Sequence, residues 1–142
     1  MQTSRVSTGE LIAGASGLAL FLFLFLDWFG PLNGWQLFDF MDIVLAVIGL
    51  GTAATVAARA AGTQVNLPGG PTTVMGLEGF AAFWIVVTFL IEGDERKIGL
   101  WLSLLASIGI IYGALTAMKV GARAAAAPPP AAPPPGAPPP AV

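Results

Sequence analysis

Residues 11–26 read LIAGASGLALFLFLFL, a run without a single charge. Extended by Glu10 and by Asp27-Trp28-Phe29, the stretch from 10 to 29 has 20 residues. A helix rising about 1.5 Å per residue covers about 30 Å over that length, the thickness of a bilayer's hydrocarbon core. Ser7-Thr8-Gly9-Glu10 in front of it has the spacing of a capping box, Ser7 serving the Glu10 amide and Glu10 reaching back. Gly30-Pro31 behind it stops a helix.

Three more runs of this kind follow. The second, 42–61, opens at Asp39-Phe40-Met41-Asp42, with its acids at the positive end of the helix dipole. It is apolar except for Thr52, Thr55 and Arg59, and Gly62 suits its C-terminus. The third, 73–91, follows the turn cluster Asn66-Leu67-Pro68-Gly69-Gly70-Pro71. The fourth, 98–118, follows the charged connector Glu92–Lys97, where Asp94 is a fitting N-cap, and Lys119 and Gly121 mark its end. None has a clean polar stripe at helical period, and none alternates as a strand does, which excludes a β-barrel. The expected fold is all-α: a polytopic membrane protein with four transmembrane helices in a compact bundle over residues 1–121.

Composition agrees. The 142 residues are 56% hydrophobic and 10% charged, with a mean hydropathy of +0.80. Soluble domains carry about 25% charged residues, so this chain could not cover a water-facing surface. Nor has it the basic face a nucleic-acid binder needs. There is no Cys and no His. Disulfides, thiol nucleophiles, Cys/His metal sites and His relays are thereby excluded. No cofactor and no metal are expected: Asp27, Asp39 and Asp42 resemble a hard-cation cluster, but two of them have helix-start duties.

Residues 122–142 form a Pro/Ala-rich, low-complexity tail, expected to be disordered. From Pro128 it repeats in fives, each unit opening on three prolines, which force polyproline II. It either docks in a proline-recognition groove or is simply solvated; without Arg or aromatic anchors the second reading is the simpler.

With four spans the two termini share a side. That side carries Arg5, Arg59, Lys119 and Arg123, against Arg96 and Lys97 on the other. The positive-inside rule then puts both termini in the cytoplasm of a multi-pass cell-membrane protein. With the acids included, the inner side has a net charge of +2 and the outer −4. Trp28 and Trp35, with Phe29, Phe38 and Phe40, crowd the first outer connector, and Trp101 lies just inside the fourth span; Trp28, Trp35 and Trp101 are expected in an interfacial aromatic belt.

Helix association in lipid needs close backbone approach. The second span supplies Gly49-Ala53-Ala57-Ala61, the fourth Gly109-Gly113-Ala117, and the first Gly9-Ala13-Gly17. Gly49, Ala53, Ala57, Gly109, Gly113 and Ala117 are therefore expected at helix contacts. Gly109-x-x-x-Gly113 suits either a dimer or packing within one bundle.

Ionisable groups at membrane depth are the default functional candidates. Glu78, about 9 Å into the third span by helical rise, is the foremost. Glu10 and Arg59 lie on the same side. If the first and third spans adjoin, Glu10 and Glu78 share a proton or hold a cation, and Arg59 is able to pair with either; alternatively Glu10 caps its helix and Glu78 reaches the interface or pairs with Arg59. No base serves the span hydroxyls Ser103, Ser107, Thr55 and Thr88, and the chain is not read as an enzyme.

Ser7-Thr8-Gly9-Glu10-Leu11-Ile12-Ala13-Gly14, Asp27-Trp28-Phe29-Gly30, Gly34-Trp35-Gln36 and Phe38-Asp39-Phe40-Met41-Asp42-Ile43-Val44 resemble small four-span membrane proteins of high-GC actinobacterial-type genomes. The resemblance covers most of residues 1–120 and implies a topology and a lineage but no activity. Small multidrug transporters also have four short spans, but their carboxylate lies deep in the first, whereas Glu10 lies at its start. Two functions remain: a structural or accessory membrane component that acts through helix packing and partner contact, with lipid and itself or another membrane protein as partners, or a small oligomeric transporter or channel with a proton- or cation-linked Glu78.

Overall fold

A computed structural model describes residues 6–37, 40–129, 131, 135 and 136. The expected acid Asp39 and aromatic Phe38, the cation Arg5 and residues 130, 132–134 and 137–142 of the Pro/Ala tail lie outside the described residues. Five helices and one small hairpin follow in chain order: α1 (Thr8–Phe23), β1 (Asp27–Phe29), β2 (Leu32–Asn33), α2 (Gly34–Leu37), α3 (Met41–Ala60), α4 (Pro71–Glu92) and α5 (Ile98–Ala126). By length and composition, α3, α4 and α5 are each able to cross a membrane, and α1 is a shorter apolar helix.

The helix starts follow local chemistry. The Ser7 Oγ accepts from the Glu10 amide, and Glu10 accepts from the Ser7 amide at 2.8 Å, completing the capping box. Pro71 opens α4 at a position whose amide has no helical partner in any case. At the end of α3, Gly62 takes φ +87°, a left-handed conformation open to Gly at little cost. Its amide and that of Thr63 then close on the Arg59 and Ala58 carbonyls, a Schellman motif.

Three expected boundaries are corrected. The first span does not run as helix to residue 29: α1 ends at Phe23, and Asp27–Phe29 is a strand paired with Leu32–Asn33 around Gly30-Pro31. The Trp28 indole decides this, since its N–H donates to the Phe23 carbonyl at 3.0 Å, one of the acceptors a helix end leaves open. The last helix does not stop at 118 but passes Lys119 and Gly121 to Ala126, so residues 122–126 belong to α5 and not to the tail. Asp94 does not cap α5; the helix starts after Lys97, whose amide donates to the Trp28 carbonyl at 2.9 Å.

The helices pack in a ring. α1 is wedged between α3 and α5, α4 lies against α5, and a thin seam joins α4 to α3. Two glycine pairs set the wedge. A Cβ at Gly113 would lie 2.5 Å from both the Gly9 carbonyl oxygen and the Ala13 amide nitrogen. One at Gly49 would lie 2.6 Å from the Gly17 carbonyl oxygen, and one at Gly17 would lie 2.7 Å from that of Gly49. The small residues of α1 therefore serve two partners, Gly9 and Ala13 facing α5 and Gly17 facing α3.

The core is uneven along its axis, between the hairpin end, labelled outer, and the end at Ser7 and Gly62, labelled inner. Its outer half holds Leu20, Leu24, Trp28, Leu45, Leu100 and Ile110. Its inner half is built from smaller pieces: Val6, Ala13, Val56, Met75 and Ala114. The outside of the ring is as apolar as its inside. Each helix exposes a stripe at helical spacing: Leu11, Leu18, Leu22 and Phe25 on or just beyond α1, Ile43, Val47 and Leu50 on α3, Leu77, Phe80 and Trp84 on α4, and Trp101, Leu105, Ile108 and Tyr112 on α5. Lipid tails are the solvent for which such a surface costs nothing.

Candidate functional site

The ionisable candidates separate into two places. Glu10 is 3% exposed at the inner end of α1 and makes an ion pair with Arg59, in the last turn of α3. One carboxylate oxygen faces Arg59 while the other accepts from the Ser7 amide at 2.8 Å and its hydroxyl at 3.0 Å. A buried carboxylate needs this density of donors, and the pair ties α1 to α3 where the small core leaves room.

Glu78 lies higher, on the edge of the buried α4 stripe Met75-Gly79-Ala82-Val86. It accepts from the fully buried Thr52 hydroxyl at 2.8 Å across the α3–α4 seam. Gly51 lies beside it, where a Cβ would be in ordinary contact with the Glu78 Oε1 at 3.5 Å. Two expectations are thereby corrected. Glu78 does not pair with Arg59, and Glu10 and Glu78 do not share a site, because α1 packs on α3 and α5. Among the described residues no group of three acids gathers as a metal site would require, and Asp42 instead bonds the neighbouring Ile43 amide at 3.1 Å.

The helix-contact candidates divide as well. Gly49, Gly113 and Ala117 are buried in contacts with α1, and Gly109 abuts Ser16, whose Cβ would lie 3.0 Å from a Cβ at Gly109. The Gly109-x-x-x-Gly113 row is thus used within the bundle. On α3 the buried row is Leu45-Gly49-Thr52-Val56; Ala53 is half-buried and Ala57 is exposed, a correction to the Gly49-Ala53-Ala57 row. A strict four-residue step drifts round a helix of 3.6 residues per turn, and mixed steps of three and four hold one face.

The three tryptophans also part. Trp101 is half-exposed in the first turn of α5, and Trp35 rests on Phe21 and Phe25 with ring centroids 6.3 and 5.6 Å away. Trp28 is corrected: it is fully enclosed and plugs the outer end of the bundle. Its ring meets Phe89 edge-on at 6.4 Å, and Gly99 brings α5 beneath the hairpin, where a Cβ would lie 2.7 Å from the Asp27 carbonyl oxygen.

The inner end is open by contrast. A hollow of about 490 Å³ lies between Ser7, Glu10, Arg59, Thr72, Ala117 and Met118. A second of about 550 Å³ adjoins it under the α3–α4 linker, and Arg59 and Pro71 line both.

Sequence reasoning missed the Thr52–Glu78 bond and the Trp28 plug. The turn residues Gly30-Pro31 and Asn33-Gly34 were a usable sign of the hairpin; no sign in the sequence pairs Thr52 with Glu78. No family model, no curated protein and no solved structure matches the chain.

Proposed function

We propose that this chain is a four-span protein of the cell membrane, with both termini in the cytoplasm, and that it serves as a structural or accessory component acting through helix packing and partner contact. α1 is counted as the fourth span because it is apolar and packs between α3 and α5. One observation carries the choice against a conduit: Trp28 and the hairpin close the outer end, and beneath them lies a hydrophobic cluster interrupted by the buried hydroxyls of Thr52, Ser103 and Ser107. A conduction path needs a polar lining. The partner-facing element is α4, of which 22% is buried in the bundle against 39% for α3 and 44% for α5.

The test is a photo-reactive residue placed at Trp84, on the exposed face of α4, and for comparison at Tyr112 on α5. Crosslinking in the native membrane is expected to give a protein adduct, a second copy or another membrane protein, from position 84 alone. Lipid adducts alone at both positions overturn the partner reading.

A second reading rests on Glu78, a carboxyl group held inside a span by Thr52 at the thinnest helix seam. It makes the protein a small oligomeric transporter or channel. Abolition of a pH-dependent flux in reconstituted vesicles by Glu78→Gln would establish it in place of the first.

A further inference from the structure

We propose that the inner hollow is a binding site for a phosphate oxyanion, carried by a lipid headgroup or by a soluble phosphate, with the Arg59 guanidinium as the group that receives it. The inference goes beyond the function proposed above. It requires the bundle to span a membrane but does not depend on which face is cytoplasmic.

Position is the first argument. α1 begins, α3 ends and α4 begins around this hollow, so it opens at the boundary of the apolar bundle. α5 alone continues past it. Its 29 residues measure about 43 Å, more than the roughly 30 Å of hydrocarbon, so its last turns stand among headgroups. Those turns carry Lys119 and Arg123, both exposed, which raises the local anion concentration.

The second argument is the state of Arg59. Guanidinium has five N–H donors in a planar fork suited to two parallel bonds with an oxyanion. Glu10 cannot fill that fork, because one of its oxygens is committed to Ser7. The ion pair engages Arg59 through Nη1 and the Glu10 Oε1. The Arg59 side chain is 30% exposed and lines both adjoining hollows.

The third argument is the rest of the wall. Among the described residues that line it Glu10 is the only acid, and it is paired with Arg59. Thr72 in one hollow, and Thr63, Gln64 and Asn66 in the other, are uncharged groups able to share a phosphate's outer oxygens. Because Arg59 and Glu10 balance each other, the exposed Lys119 and Arg123 on the adjoining turns of α5 give this end its preference for an anion.

The experiment uses the full chain in phosphatidylcholine nanodiscs, with phosphatidylglycerol titrated in and retained lipid counted by native mass spectrometry. A parallel arm follows inorganic phosphate by phosphorus NMR. Arg59→Gln is expected to lower retention of the anionic species about tenfold or more. Glu10→Gln, which keeps a cap and frees the fork, is expected to raise it. A Lys119→Gln/Arg123→Gln variant is expected to lose only a small, salt-sensitive part. Retention of phosphatidylglycerol alone assigns the headgroup as the source; a phosphate signal lost in Arg59→Gln assigns the soluble anion. Retention unchanged in both Arg59→Gln and Glu10→Gln overturns the site, and so does a fall in Glu10→Gln at unchanged thermal stability. If Arg59→Gln fails to fold, the sign of the Glu10→Gln effect decides alone. Failure of the spanning premise shows separately, as loss of flotation with vesicles.

Discussion

Gly113→Ala adds one methyl group where α5 crosses α1. The new Cβ would stand 2.5 Å from the Gly9 carbonyl oxygen and from the Ala13 amide nitrogen, and 3.0 Å from the Ala13 Cα. All three are backbone atoms, so no rotamer change relieves the clash. Restoring ordinary contact, at 3.4 Å or more, moves the helices apart by about 0.9 Å. A gap of about 0.5–1 Å forfeits a quarter to a half of the dispersion energy of each contact along the seam. Overpacking of this kind costs about 1–3 kcal/mol, and a clash with backbone on both sides belongs at or above the upper end. Gly121→Ala is the control: same helix, same substitution, with nothing within 4 Å of the added carbon. There helix propensity is the only change, favouring Ala by up to about 1 kcal/mol. The assay is reversible unfolding in mixed micelles, followed by helical circular dichroism. Gly113→Ala is expected to be destabilised by about 2–3 kcal/mol and Gly121→Ala to be neutral or stabilised. Equal stability of the two variants would refute the close α1–α5 crossing.

Other outcomes follow from the same geometry. Trp28→Ala opens the outer end and is expected to cost about 3–5 kcal/mol, whereas Trp28→Phe keeps most of the ring and loses mainly the bond to the Phe23 carbonyl, about 1 kcal/mol; near-ultraviolet circular dichroism and unfolding midpoints check both. Arg59→Ala leaves the Glu10 carboxylate buried without its counter-charge, so Glu10→Ala/Arg59→Ala is expected to be more stable than Arg59→Ala alone, as a double-mutant cycle by chemical denaturation reads out. Thr52→Val removes the donor to Glu78 and is expected to loosen the α3–α4 seam, seen as faster amide exchange in α4 than in α5. A reporter fused after Val142 is expected to behave as cytoplasmic, and an external signal there would reverse the topology.

Much of the fold is legible before any coordinates. The Ser7–Glu10 capping box and the Gly62 stop of α3 are local chemistry, decided by atoms within a few residues of each other. The candidate site was legible only in its parts. Glu10, Arg59 and Glu78 stand out as charges in apolar surroundings, but their partners depend on which helices meet. The ring order α3-α1-α5-α4 gives Arg59 to Glu10 and leaves Thr52 for Glu78.

Composition and period alone determined that this is an apolar, helical chain suited to lipid, with its charges other than Glu78 at span ends or in connectors, because transfer free energies and helix-end chemistry are properties of short segments. Tertiary structure decided what those segments do to one another. It turned residues 27–29 from helix into the strand that seats Trp28 as a plug. It set the Gly9–Gly113 and Gly17–Gly49 crossings, and it left the inner end hollow around Arg59. Each of these is a contact between residues at least ten positions apart or a choice among competing hydrogen-bond acceptors, and pairings of that kind exist only once the helices have found their neighbours.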